Sequence, residues 1–137
     1  MADQRLAHPD DGERGSAVVD FVMVSLLIVA LLLAVLQVAV YVHVRNVVTA
    51  SAQLGARYAA NADVDSSSGA ARTVEVVAQA TTERTAEGLA CTSEEQLDST
   101  GLTLVVVECS GSVPSLLAAL GNLLPLQVTG RALKEGA

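Results

Sequence analysis

The sequence FVMVSLLIVALLLAVLQVAV, residues 21–40, is an apolar run interrupted by Ser25 and Gln37. From Phe21 to Val44 the chain has 24 residues without Asp, Glu, Lys or Arg. A helix of this length, rising about 1.5 Å per residue, extends about 36 Å and can cross a hydrocarbon core of about 30 Å. A chain of 137 residues is too short to surround such a helix with its own apolar surface. The run therefore predicts one transmembrane helix rather than the core helix of a globular domain.

A secretory signal peptide is the alternative interpretation of this run, because Ala50-Ser51-Ala52 has the small residues of a cleavage site. Three features disfavour it. The run is longer than the usual stretch of about 7–15 residues, the possible site lies well beyond its end, and the preceding segment is acidic rather than basic. A retained anchor is therefore favoured over a secreted soluble domain released after Ala52.

The composition argues against nucleic-acid binding and against an enzyme. The net charge of -7 is spread along the chain, and no basic patch is interleaved with aromatic residues. Neither His8, near the N-terminus, nor His43, at the end of the apolar run, is placed to act as a general base for the domain that follows. The group His8, Asp10 and Asp11 is more typical of a short polar tail than of metal ligands. We expect no enzymatic activity, no cofactor and no metal.

A carboxylate stands at the entrance of the apolar run, in the sequence Glu13-Arg14-Gly15-Ser16-Ala17-Val18-Val19-Asp20-Phe21. At the centre of a membrane helix it would cost about 2.5–3.5 kcal/mol on insertion scales, and less at the boundary. Taken alone, Asp20 fits the headgroup region, near the positive end of the helix dipole. Its spacing indicates more, because Asp20 is the fifth residue counted from Ser16 and the apolar helix follows it directly.

This pattern resembles the leader of a type IV prepilin. The resemblance implies that a prepilin peptidase cuts after Gly15 and that Ser16 becomes the first residue of the mature chain. It also implies that Asp20 pairs with a new N-terminal ammonium group during filament assembly. Opposite charges attract strongly in a low-dielectric helix bundle, and leaving either one unpaired there is costly.

Within that superfamily the sequence is similar to the TadE-like family of tight-adherence (Flp) pilus systems. Members have a Gly-rich leader, an acidic residue at the start of one long helix, and a short extracytoplasmic domain. The similarity covers residues 13–60 and extends more weakly to residues 126–132. Two residues depart from the usual pattern: Asp20 is one methylene shorter than the commoner Glu, and Ser16 replaces a bulkier first residue.

The family implies a minor pilin or pseudopilin with a structural role. Its partners would be the prepilin peptidase, other pilin or pseudopilin subunits, the pilus assembly machinery and membrane lipid. A single-pass membrane adaptor that binds another envelope protein is the alternative function.

The charges that flank the helix do not fix its orientation. Arg5 and Arg14 precede the helix, while Arg45 and Arg57 follow it. The short leading segment favours a cytoplasmic N-terminus. The position of both cysteines beyond the helix favours an extracytoplasmic domain, where an oxidising compartment would let them pair.

Small residues recur at helical spacing along the apolar run and beyond it, and they predict that the helix continues past Arg45 to about residue 60. The rows are Ala30 and Ala34; Ala52, Ala56 and Ala60; and Ser51, Gly55 and Ala59. Such rows let helices approach closely. They either face other helices in an assembly or belong to an Ala-rich helix without a partner.

The whole sequence predicts an α+β fold. Its parts are a leader (residues 1–15), a transmembrane helix with an extension (residues 16–60) and a small domain (residues 61–137). Within the domain, the pattern predicts a loop at 61–69, one amphipathic helix at 70–87, and strands at 102–109 and 126–133. The apolar segment 116–120 between the strands is either a short helix that covers the sheet or an exposed patch.

Cys91 and Cys109 are the two cysteines of the chain, and neither belongs to a CxxC or metal-ligand pattern. They predict a disulfide between the loop after the second helix and the end of the first strand. Closing a loop of this size would contribute about 3 kcal/mol by the chain-entropy estimate, a large share for so small a domain. Two buried free thiols are the alternative.

Overall fold

The structure, a computed structural model, describes residues 11–113, 115 and 124–136. In this part of the chain the elements are α1 (Asp11–Ala60), α2 (Ser68–Ala80), α3 (Glu83–Glu87), β1 (Leu89–Leu97), β2 (Thr103–Val113) and β3 (Leu124–Leu133). The predicted α+β class is confirmed. The chain divides into two compact units, an N-terminal unit up to Leu36 and a C-terminal domain from Gln37 onward.

The N-terminal unit is the first half of α1, and nearly all of its large apolar side chains are exposed. Phe21 is 73% exposed, and Leu26, Ile28, Leu31 and Leu32 are also exposed. The helix is long and apolar enough to cross a membrane, and none of its most apolar stretch is buried. Such a continuous apolar surface is unusual for a protein in water, and it confirms the predicted long apolar helix.

The C-terminal domain is built on a three-stranded antiparallel sheet with the order β1-β2-β3. The central strand is rich in β-branched residues, and alternate residues of it, Val105, Val107 and Cys109, point into the core. The second half of α1 and the helix α2 supply the other side of this core. Its buried members are Val44, Val48, Ala52, Ala56, Val77, Ala86, Val107, Cys109, Val113, Leu126 and Val128.

Strand β1 is not predicted by the sequence pattern, which indicates a loop between the helix at 70–87 and the strand at 102–109. Its second half, Ser93-Glu94-Glu95-Gln96, is polar and has little intrinsic strand preference. The strand forms because its backbone pairs with β2 along its full length, from Leu89 opposite Gly111 to Leu97 opposite Thr103. Strand β2 itself ends at Val113, four residues beyond the predicted end at Cys109, because it pairs with β1 as far as Gly111 and with β3 as far as Val113.

The single helix predicted at 70–87 is wrong, because two helices occupy this segment. Helix α2 begins at Ser68, within the predicted loop, and ends at Ala80, where the Thr81 hydroxyl donates to the Val77 carbonyl oxygen at 2.7 Å. Thr82 is extended, and its hydroxyl oxygen accepts a hydrogen bond from the Thr85 backbone N–H. Two adjacent threonines therefore end one helix and begin the next.

The second predicted strand, 126–133, is confirmed as β3, which begins two residues earlier. Within the predicted loop, residues 61–67 do join α1 to α2. The predicted segment 116–120 and the first ten residues of the leader, with His8 and Asp10, lie outside the described residues.

Candidate functional site

The predicted processing and charge-pair residues, Gly15, Ser16 and Asp20, all lie on α1 and are exposed. Within the part of the chain that the structure describes, the space around Gly15 is open, because apart from its own stretch of helix nothing lies within 4 Å of the position that a Cβ would take there. Ser16 and Asp20 are four residues apart, so they lie on one face of the helix about 6 Å apart along its axis. A chain that began at Ser16 would carry its terminal ammonium one turn before the Asp20 carboxylate.

The predicted small-residue rows lie in two different environments. Ala30 and Ala34 are exposed on the N-terminal unit. Ala52, Ala56 and Ala60 are buried in the C-terminal domain, as are the residues of the parallel row, Ser51, Gly55 and Ala59.

The rows of the domain pack against the same chain rather than lying open to other subunits. A Cβ at Gly55 would clash with Thr73 and with the backbone oxygen of Gly69 in α2, and Ala59 contacts Gly69. The row of Ser51, Gly55 and Ala59 therefore does permit a close helix approach, but its partner is α2. Of the predicted small residues, Ala30 and Ala34 are the exposed ones.

The extent of α1, its exposed apolar first half and the leader motif can be compared with known families. Residues 15–57 match the TadE-like protein family. The match begins at Gly15, ends within α1, and confirms the resemblance over about a third of the chain. Neither a curated protein nor a solved structure matches the chain.

The TadE-like segment contains both environments of α1, because it crosses from the N-terminal unit into the C-terminal domain at Gln37. Its last three turns hold the small residues that pack against α2 and β3. At position 130 of β3, a Cβ would meet the backbone of Ala52 at less than 3.0 Å. The match ends at residue 57, so the strands that contact this helix lie outside it.

The disulfide that follows the TadE-like segment is present between Cys91 and Cys109. The two residues lie directly opposite each other on β1 and β2, with their Cα atoms 4.1 Å apart. The bond therefore joins two neighbouring strands, and the prediction that it ties a loop to a strand end is wrong in this detail. Cys109 is buried, so the sulfur atoms belong to the packed interior of the sheet.

The end of the long helix is held by Lys134, which follows β3 and was not singled out from the sequence. Its ammonium group donates to the backbone carbonyl oxygens of Ala59 at 2.9 Å, Asn61 at 3.2 Å and Val64 at 2.7 Å. The next residue adds a backbone bond, from the Glu135 N–H to the Ala60 carbonyl oxygen at 2.8 Å. A cation placed at the negative end of a helix dipole satisfies carbonyl groups that the helix itself leaves unpaired.

The loop after α1 is further fixed by local polar contacts. The Asp65 carboxylate accepts hydrogen bonds from the backbone N–H and the hydroxyl of Ser67, both at 2.9 Å. These bonds favour the ionised form and hold the pKa of Asp65 below its ordinary value. Ser66 connects the loop to β1, because its carbonyl oxygen accepts a hydrogen bond from the Ser93 hydroxyl.

Proposed function

We propose that this protein is a minor pilin or pseudopilin-like component of a tight-adherence (Flp-type) pilus assembly system. The match to the TadE-like protein family, which begins at Gly15, is the observation that carries the proposal. That family implies involvement in tight-adherence pilus assembly. In the proposed role the chain is cleaved after Gly15 by a prepilin peptidase, acts without catalysis, and assembles through its N-terminal helix.

The exposed apolar surface of α1 supports assembly through the helix. Between Ser16 and Leu36, the residue that carries a charge is Asp20. In the proposed assembly, this surface packs against other apolar helices, and the Asp20 carboxylate pairs with a terminal ammonium group in the low-dielectric bundle. Ala30 and Ala34 lie on the same exposed half of α1 and would let a neighbouring helix approach closely.

The proposed topology places the N-terminus in the cytoplasm and the C-terminal domain outside it. The disulfide of Cys91 and Cys109 supports this orientation, because disulfides persist in oxidising compartments. In this topology the leader faces the peptidase in the cytoplasm, and the C-terminal domain lies on the other side of the membrane.

Release of a soluble domain after Ala52 fits the structure poorly. Ala52 is fully buried in the C-terminal part of α1, and β3 packs directly on its backbone. Cleavage there would remove Val44 and Val48 from the core of the domain. The membrane adaptor remains the second candidate, because an exposed apolar helix would anchor an adaptor equally well.

N-terminal sequencing of the chain purified from cells that carry the matching prepilin peptidase tests the proposal. The expected mature chain begins at Ser16. A Gly15→Leu variant is expected to keep its leader under the same conditions, and a cognate major pilin reports that the peptidase is active. Recovery of the intact leader beside a fully processed major pilin would overturn the proposal.

A further inference from the structure

The apolar run of α1 continues past the N-terminal unit into the C-terminal domain. The domain begins at Gln37, yet no Asp, Glu, Lys or Arg occurs until Arg45. One side of these turns is covered, since Gln37 and Val44 are each 7% exposed. The other side is open and apolar, with Val38 63% and Val42 48% exposed.

The length of the uncovered helix is too short for a bilayer if the domain stands clear of it. The 16 residues from Phe21 to Leu36 extend about 24 Å, whereas a hydrocarbon core is about 30 Å thick. Extending the span backward would draw the Asp20 carboxylate into hydrocarbon, which is costly. Extending it forward to Val42 gives about 33 Å and adds apolar side chains alone to the exposed side.

The start of β3 lies beside these turns and is also apolar. The Tyr41 hydroxyl donates to the Pro125 carbonyl oxygen at 3.1 Å, and Leu124 lines a shallow groove with Gln37, Val38 and Tyr41. Tyrosine with an apolar ring and a satisfied hydroxyl is typical of the membrane interface. The charged residues of α3 border the same end of the sheet, because Leu89 follows α3 and pairs with Gly111. The carboxylates of α3 would keep this end of the domain from entering the hydrocarbon core of a bilayer deeply.

We propose that Val38, Val42 and Leu124 form a lipid-contact surface that seats the C-terminal domain on the bilayer. The acyl chains near the glycerol level would cover these three side chains, while the opposite end of the sheet, with Leu102 and Leu133, points into water. The turns of α1 that carry this surface follow the apolar run without a break and contain no Asp, Glu, Lys or Arg before Arg45, which is the reason to assign it to lipid rather than to a second protein. The proposal rests on α1 crossing a membrane and not on the pilus role.

Single-tryptophan variants of the full-length chain in lipid vesicles test this surface, because the chain has no tryptophan of its own. Val38→Trp and Leu124→Trp probe the surface. Leu26→Trp probes the spanning helix. Leu102→Trp probes the end of the sheet opposite to Leu124, because the β2–β3 pairing runs from Leu104 opposite Leu133 at one end to Val113 opposite Leu124 at the other. Vesicles of phosphatidylcholine and phosphatidylglycerol with brominated acyl chains quench tryptophan in lipid, and aqueous iodide quenches tryptophan in water.

The expected result is that brominated lipid removes most of the fluorescence at positions 26, 38 and 124, while iodide quenches position 102. Quenching of positions 38 and 124 by iodide, with position 26 still quenched by lipid, would overturn the proposal and leave the anchor intact. Position 38 reached by neither quencher would also overturn it, because a second copy or another protein would then cover the surface. Position 38 is exposed, so its variant stays informative where Leu124→Trp disturbs the domain. The same quenching pattern is expected in Gly15→Leu variants, which keep the leader, so the lipid contact can be tested independently of the pilin role.

Discussion

Gly130 in β3 lies against the backbone of Ala52 in α1, so closely that a Cβ at position 130 would come within 3.0 Å of the Ala52 carbonyl group. Backbone atoms on both sides form this contact, and they cannot rotate away as the end of a side chain can. The strand therefore packs on the long helix with no side chain between them at this point. The stability of the domain depends on a glycine at position 130.

Gly130→Ala is expected to destabilise the C-terminal domain by about 1–3 kcal/mol, because an added methyl group forces the strand away from α1. Hydrogen exchange of the β2 amides in the full-length chain in detergent micelles would measure the change, at about tenfold faster exchange per 1.4 kcal/mol. Gly88→Ala is the control, since an added Cβ there would lie 3.5 Å from the Thr85 carbonyl oxygen, an ordinary van der Waals contact. Equal exchange rates in the two variants would show that the contact has no energetic weight.

Lys134 is expected to stabilise the end of α1 and the loop after it. Lys134→Met keeps the apolar stem and removes the ammonium group that donates to the carbonyl oxygens of Ala59 and Val64. The expected cost is about 1–3 kcal/mol, the range for hydrogen bonds to a charged group and for a buried carbonyl left unpaired. Exchange of the amides in residues 58–64 should accelerate, and Lys134→Arg should restore part of the protection. Unchanged exchange in Lys134→Met would contradict a capping role.

These long-range contacts mark the limit of what the sequence could predict. The apolar run of α1 and the β-branched strand β2 are local patterns, and both were found. Lys134 and Ala59 are 75 residues apart, and no local pattern connects them. Strand β1 was missed for the same reason, because its polar residues adopt strand geometry only by pairing with β2. The number of cysteines predicts the disulfide. The position of Cys91 directly opposite Cys109, however, depends on the register between β1 and β2, which cannot be predicted without β1.

The small-residue rows show the same limit, because their spacing predicts a close helix contact but not which helix makes it. Helical spacing showed that Ser51, Gly55 and Ala59 form a close-packing face. Whether that face meets another subunit or the same chain depends on where α2 folds back, which the spacing does not encode. The structure places α2 there, with Gly69 and Thr73 at the contact. A row of small residues thus predicts a close approach more securely than it predicts the partner.

Removing the disulfide is expected to destabilise the domain by about 3 kcal/mol, the chain-entropy value for a loop of this size. The double variant Cys91→Ser and Cys109→Ser avoids a free thiol and keeps two small polar side chains opposite each other on the sheet. Hydrogen exchange of β2 and β3 amides would report the loss. A reductant should accelerate exchange in the native chain and leave the double variant unchanged. Slow exchange in the double variant would show that strand pairing alone holds the sheet.

Asp20 is expected to matter for assembly and not for membrane insertion. Asp20→Asn keeps the shape of the side chain and removes its charge, so it can no longer attract a terminal ammonium group in an apolar bundle. Insertion, measured by recovery in the membrane fraction, should be unchanged. Incorporation with other pilus subunits, measured by cross-linking and co-purification, should fall sharply.

Asp20→Glu is the matched variant, because it restores the charge with the longer side chain that is commoner in the family. It should assemble at least as well as the native chain. An adaptor anchored by the same helix would be indifferent to both changes, since its function resides in the domain beyond Gln37. Normal co-purification of Asp20→Asn would therefore contradict the pilin role and favour the adaptor, whereas loss in Asp20→Asn with recovery in Asp20→Glu would assign the effect to the charge itself.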